Sequence, residues 1–529
     1  MNITKSITHS AVALCATLIT SLPSAAGEEL TAEPAVITTQ AKDKPYTSDG
    51  KHFFRKGNAR IHGKMTNYDL RTTAPRLFLI YVYDLVTGES VPQTVDINPD
   101  GSFDSDILLP SPQTVAIELS QVNDLNTYLE PGNDLELILD REDMLNIDRG
   151  LSSKMEKIQF GGSLGAINRE LYSAPDYKRP NTGKLSPDEA KDSINRAIGR
   201  WEEEINRYKD SRKLSAKSME LLDHNIASKR AYELLNYEKR SRYIAINDTT
   251  IRFRDPLPSN YYRDFLSDIM HRDTTFLAAS NMDMLINRIG FGTMCGSPTP
   301  GISIYDTSAK ETYLRNLTDS LCNLAGTDFV PLLWQMAITA REMPSTKGFI
   351  RSGEVEMARQ DLNAIKNAAV PDPTLRNIID QYCDSLIAHK AYEIPDTETG
   401  RIFRDIVAPH KGKLLVVDFW GTSCGPCRRV IEESKEFREK HRGNPDFKII
   451  YITGEDESPR DSYDKYVARN LQGETCHYLP VSDIAKLREL FRMSAIPRYI
   501  LIDRDGKIAD DNFSFSNLQQ TLLKEGIEL

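Results

Sequence analysis

The stretch from Leu414 to Arg429 constrains this chain more than any other. Leu414-Leu415-Val416-Val417 is an uninterrupted apolar run, which reads as a strand covered on both faces. The chain then turns through Gly421 and enters Cys424-Gly425-Pro426-Cys427, followed by an amphipathic helical pattern. Strand, tight turn, Cys-x-x-Cys and helix together place Cys424 at a helix N-terminus. There the unpaired N–H groups and the macrodipole favour thiolate over thiol. Cys427, one turn on, can attack a mixed disulfide formed on Cys424 and release the product. Pro426 costs no hydrogen bond in a first helical turn and stiffens the motif. A lone Cys-x-x-Cys is also half of a zinc site, but no second pair follows. The nine histidines are scattered without ligand spacing, so no metal and no bound cofactor is expected beyond the Cys424–Cys427 pair itself.

A length of 529 residues exceeds what one core usually supports, so a multi-domain chain is expected. Sixty-six basic against 76 acidic residues give a net charge of −10, with no basic block, which argues against nucleic acid. Residues 1–26 read as an export signal: Lys5, an apolar centre from Ala11 to Ile19, then the small residues Ser24-Ala25-Ala26. An uncleaved anchor is the alternative. Cys15 lies inside the apolar run behind Leu14, which speaks against a lipid anchor there. Residues 27–50 read as a flexible leader. Export implies a periplasmic or cell-envelope protein. Six cysteines then remain, too dispersed for a disulfide scaffold; Cys295, Cys322 and Cys383 can bridge or be small buried hydrophobes, and their pairing and that of Cys476 stay open.

Residues 51–145 carry short apolar or alternating runs, such as Arg76 to Tyr83 and Leu135 to Leu139, between turn signals. They predict a small antiparallel β-sandwich. Asp96 to Gly101 begins like a calcium loop, but the twelfth position is Ile107 rather than a bidentate Glu, so Pro99-Asp100-Gly101 is read as a hairpin turn. Residues 160–392 change to helical spacing. Helices are expected over Leu164–Asn181, Ser186–Tyr208, within Ala216–Asn247, Tyr261–Asn287, Ser308–Glu342, Val355–Ala369 and Thr374–Ala391. Arg240-Ser241-Arg242-Tyr243 and Tyr261-Tyr262-Arg263 are either helix packing with solvated Arg or a face for a partner.

Residues 396–529 alternate strand and helix as one α/β domain: strand Lys413–Phe419, helix Pro426–His441, strand Lys448–Thr453, helix Ser458–Asn470, and a last strand pair around Arg504-Asp505-Gly506. Val417-Asp418-Phe419-Trp420, the Cys424–Cys427 motif and Ile496-Pro497 before a strand carry a resemblance. This quarter of the chain resembles thioredoxin, in particular exported thioredoxin-like proteins of the TlpA/ResA type. Pro99-Asp100-Gly101-Ser102-Phe103 and Tyr128-Leu129-Glu130-Pro131-Gly132 resemble the strand-rich domain that precedes such domains in large exported proteins. The resemblance implies a thioredoxin fold, attack by Cys424, resolution by Cys427, and a cis Ile496-Pro497 bond whose backbone pairs with an extended substrate. It also implies substrate contact at Trp420, Gly425 and Pro426.

Asp418 interrupts an apolar strand six positions before Cys424, and a buried carboxyl has its pKa raised. It is therefore a candidate to pass a proton to or from Cys427. Thioredoxin places a lysine near this acid, and Lys448 is the residue to examine. Ser423 stands where the family usually has an aromatic residue, and Arg428 and Arg429 either support the thiolate or are solvated. Three functions are open: a thiol–disulfide oxidoreductase, a thiol peroxidase with Thr422 near Cys424, and an envelope binding or scaffold protein with an accessory redox domain. The first implies exported disulfide-bearing proteins as clients and a membrane thiol electron donor.

Overall fold

The computed structural model describes residues 53–69, 75–120, 123–247, 257, 259–292, 301–388 and 391–528. The expected signal (1–26) and leader (27–50), with Cys15 and Cys295, lie outside them. The chain divides into two compact units, one ending at His389 and one beginning at Lys390.

In the first unit, eight strands form two four-stranded sheets. These are β1 (Gly57–Thr66), β2 (Leu77–Asp84), β3 (Glu89–Asp96), β4 (Ser102–Leu109), β5 (Gln113–Ser120), β6 (Asn123–Leu129), β7 (Asp134–Asp140) and β8 (Gln159–Gly161). One sheet has the order β4-β1-β7-β8, the other β3-β2-β5-β6. Period-two alternation makes the sheets one-sided: β5 buries Gln113, Val115, Ile117 and Leu119 and half-exposes the residues between. Two expectations are corrected. The first sheet is mixed, because β1 pairs antiparallel with β4 but parallel with β7. The turn at Pro99-Asp100-Gly101 closes like a hairpin, with the Asn98 N–H donating to Ser102 O at 2.8 Å, yet β3 and β4 belong to different sheets. Gly101 has φ 84°, and a Cβ there would collide with the Met65 carbonyl. The turn thus carries the chain from one sheet to the other.

The helical residues of the same unit share one continuous apolar cluster with both sheets, from Phe78 and Leu137 to Leu234, Trp334 and Ile365. Residues 51–145 and 160–388, different in periodicity, therefore lie in one compact unit. The helices Pro187–Asp210, Ala216–Asn247 and Val355–Ala369 follow the predicted spacing, the first entered through a Ser186–Glu189 capping box. Three predicted helices are shorter or split. The one from Leu164 forms only over Gly165–Tyr172, because Pro175 disfavours helical Ala174. Tyr261–Asn287 becomes Ser259–Met270, a 3₁₀ turn Thr274–Ala278 and Met282–Phe291; the Asp273 side chain takes the Thr275 N–H, and Asn281 turns left-handed at φ 59°. Ser308–Glu342 breaks after Thr307–Ala325 at left-handed Gly326, and the next helix, Leu332–Arg351, runs on through Pro344. Tyr261 and Tyr262 are buried, and Arg240 pairs with buried Glu233, so these Tyr and Arg residues serve packing. Tyr243 is exposed. Cys322 and Cys383 are both free thiols.

A buried charge network ties three of these helices. Lys310 Nζ lies 2.7 Å from Asp361 and 3.1 Å from Glu342, and Thr346 Oγ1 donates to Asp361 at 2.7 Å. Removing one partner strands the others in low dielectric. Lys310→Met is expected to lower the stability of this unit by about 3–5 kcal/mol in urea unfolding; a loss under about 1 kcal/mol would show the carboxylates to be hydrated.

The second unit is one five-stranded sheet, β9 (Leu414–Phe419), β10 (Phe447–Gly454), β11 (Thr475–Leu479), β12 (Arg498–Ile502) and β13 (Ile508–Phe513), in the order β11-β10-β9-β12-β13. The apolar run is the central strand, parallel to β10 and antiparallel to β12. All six of its residues are buried, as a strand lacking a polar face requires. Leu415, Val417 and Phe419 join one cluster, and Leu414, Val416 and Trp420 the other. The single helix expected over Pro426–His441 is two, Gly425–Glu433 and Lys435–His441, parted at Ser434, whose hydroxyl donates back to Ile431 O at 3.3 Å.

Candidate active site

Cys424 caps the helix Gly425–Glu433 and is joined to Cys427 by a disulfide with Cα atoms 5.3 Å apart. The Cys427 N–H donates to Cys424 Sγ at 3.1 Å, so a first-turn amide already points at the first sulfur. Cys424 is half-buried and Cys427 fully buried. A reagent from solution therefore meets Cys424 first, and Cys427 is left to attack from behind.

The loop before the motif is held by residues after β10. The Thr422 N–H donates to Ser458 Oγ at 2.9 Å, and Ser423 Oγ donates to Glu457 O at 3.1 Å. A Cβ at Gly421 would lie 2.9 Å from Glu457 Cβ and 3.0 Å from Ile496 Cδ1, so the absent side chain lets both loops close on the motif. Ser423 thus replaces a flat apolar lip with an anchor. Glu457 and Ser458 carry no local pattern that marks them; only the fold brings them here.

The Ile496–Pro497 bond is cis, and both residues are half-buried, with Ile496 packed against the clusters on both faces. Gly425, Arg428 and Arg429 are exposed and Pro426 half-buried. Trp420 corrects its expected role as a substrate contact: its ring is 1% exposed and packs on Tyr466 and Tyr463, at centroid distances of 5.2 and 6.2 Å. It supports the dithiol from inside the apolar layer that also holds Cys427.

Asp418 is 1% exposed, and its Oδ1 has no hydrogen-bond partner. Burial holds its pKa well above the ordinary value, with Arg438 opposing. Lys448 does not approach it. Tyr451 is the β10 residue in register with Asp418, and Lys448, three positions away, falls on the other face, with Ile450 and Ile452. On the other side Tyr499 of β12 is in register, its buried hydroxyl also without a partner. Cys476 pairs with Tyr451 on β11; burial pushes its thiol up to about 12, which leaves it protonated and unreactive. No group of three or more His, Cys, Asp or Glu among the described residues could hold a metal ion.

Residues 412–508 match the family described as Thioredoxin-like. This segment is a thioredoxin-like domain. The chain is similar to Probable nucleoredoxin 1 of Arabidopsis thaliana, 25% identical over 101 residues, 19% of this chain and 17% of that protein. It is also similar to Thioredoxin-1 of Caenorhabditis elegans, 30% identical over 64 residues, 12% of this chain and 51% of that protein. It thus spans less than two thirds of the length of either. Among solved structures, the thioredoxin domain of a thiol-disulfide oxidoreductase from Bacteroides vulgatus matches at 22% identity and TM-score 0.21, over 22% of this chain and 83% of that one. The thioredoxin-like domain thus carries a Cys424–Cys427 disulfide at a helix start and a buried carboxyl on its central strand.

Because folded Asp418 keeps a proton that the unfolded chain releases just above pH 3.8, stability falls as pH rises from there toward the folded pKa. The slope is at most about 1.4 kcal/mol per pH unit for one proton. Asp418→Asn removes it. In urea unfolding of the oxidised protein at about pH 5 and about pH 8, the variant should gain at least about 1 kcal/mol over the parent at the higher pH. Parallel pH curves would mean that Asp418 is ionised in the fold.

Proposed function

We propose that the protein is a thiol–disulfide oxidoreductase that works on disulfides of exported proteins in the cell envelope. The observation that carries this reading is the graded burial of the pair, Cys424 reachable at a helix start and Cys427 fully buried one turn on, in a domain whose central strand buries the Asp418 carboxyl. Cys424 thiolate attacks a client disulfide, forming a mixed disulfide and expelling one client thiolate. Cys427 then attacks Cys424 Sγ, its proton passing to Asp418, and the second client thiolate leaves. The dithiol is oxidised by two electrons and the client disulfide reduced. Ile496 offers backbone beside the motif, and Gly425 and Pro426 offer an open rim for an extended client.

The export signal read in residues 1–26 supports the location, and the TlpA/ResA resemblance supports reduction as the direction. A reductase in an oxidising compartment needs electrons, which a membrane thiol donor would supply. No helix among the described residues is long and apolar enough to cross a membrane. The two front sheets we read as the faces of one sandwich.

Reduced protein mixed with a disulfide-bonded peptide tests the reading. The parent should cleave the peptide disulfide, Cys427→Ser should stop at a covalent adduct on Cys424, and Cys424→Ser should lose at least about a thousandfold in rate. An adduct formed equally well by the Cys424→Ser variant, or rapid consumption of peroxide with no peptide cleavage, would overturn it.

A further inference from the structure

The fold brings a second charged group to the carboxyl from a part of the sequence that no motif marks. Arg438, on the helix Lys435–His441, is 3% exposed. Its Nη1 lies 3.2 Å from Glu474, its Nη2 donates to Ile431 O at 2.8 Å and Asn470 O at 3.1 Å, and its Nε donates to Ser434 Oγ at 3.3 Å. The guanidinium carbon stands 6.0 Å from the centre of the Tyr451 ring. Tyr451 is the β10 residue paired with Asp418, in the cluster that also holds Cys427.

We propose that Arg438, fixed by Glu474 and three further hydrogen bonds and standing over Tyr451, is the positioning residue that sets how readily Asp418 takes the proton from Cys427. The inference rests on the oxidoreductase reading and concerns its resolving step. In that step the Cys427 S–H proton moves to the Asp418 carboxylate, the Cys427–Cys424 bond forms, the Cys424–client bond breaks, and the client thiolate leaves with the electron pair. A carboxyl with too high a proton affinity would not be ionised to accept that proton. A fixed cation nearby lowers that affinity without touching the thiols.

The other groups around Asp418 leave this assignment room. Tyr451 and Tyr499, the flanking residues on β10 and β12, are both pushed up by burial and by Asp418 itself, so both stay neutral. Cys476 on β11 stays protonated, being pushed up to about 12. Glu474 is bound to Arg438 and to Arg442. Trp420 and Cys427, on the same face, bring no fixed charge. Among the described residues, Arg438 is the cation that bears on the Asp418 carboxyl, and it acts against burial.

The test is the release of thionitrobenzoate when reduced protein meets Ellman's reagent in a stopped-flow instrument across about pH 5 to 9. The first equivalent reports attack by Cys424, the second the attack of Cys427 on the adduct. Arg438→Gln should move the pH midpoint of the second release upward by about one unit, leave the first in place, and be reversed by Arg438→Lys. Glu474→Gln, which frees the same cation from its carboxylate, should move that midpoint downward. An unmoved midpoint in Arg438→Gln, or equal shifts in the Gln and Lys variants, overturns the role of Arg438. If Arg438→Gln fails to fold, an unmoved midpoint in Glu474→Gln does the same. Absence of a second release in the parent at every pH would instead defeat the oxidoreductase reading.

Discussion

A carboxyl held without a full set of hydrogen bonds in the middle of a sheet is the constraint on which the second unit turns. Asp418 occupies a position that packing alone would give to Val or Leu, between Val417 and Phe419 on a strand buried on both faces. Desolvating a carboxyl costs free energy, and the sheet offers it two tyrosines and no direct cation. Burial raises the proton affinity of the group, and buried Arg438, itself held by Glu474 and backbone carbonyls, opposes that rise. The same layer of side chains holds Cys427 and Trp420. The strain on the acid and the placing of the resolving thiol are thus consequences of one packed face.

Much of this site was legible because its parts are local. The apolar run, Asp418, the turn glycine, the two cysteines and Pro426 lie within fourteen positions, and their spacing alone orders strand, turn and helix. Ile496-Pro497 was legible only through the resemblance to thioredoxin. Ser458, Glu457, Arg438 and Tyr451 were not, since only a distant loop brings Ser458 and Glu457 to the motif, strand register sets Tyr451 beside Asp418, and helix packing sets Arg438 over Tyr451. Trp420 was misplaced for a related reason: its position beside the cysteines does not say whether its ring faces the client or the core, and parity with Leu414 and Val416 turns it inward.

In the first unit, periodicity marked the change from strand to helix and most helix positions, yet it could not reveal the parallel pairing of β1 with β7. These strands are separated by seventy or so residues, and alternation reads the same in parallel and antiparallel pairs. Nor could it reveal where helices stop when the cause is a single side chain, as at Asp273, or a left-handed residue, as at Gly326. Continuity of the apolar cluster across sheets and helices is a property of packing, and a pattern read along the chain has no access to it.

On the proposed oxidoreductase reading, Cys424 and Cys427 cycle together as one two-electron couple. Equilibrating the protein with graded mixtures of reduced and oxidised dithiothreitol, then trapping free thiols with an alkylating agent and weighing the protein, reads this directly. Both thiols should appear together at one midpoint, while Cys322, Cys383 and Cys476 contribute no reversible step. A pair that never opens under strongly reducing mixtures, or thiols that appear one at a time at separate midpoints, would contradict it.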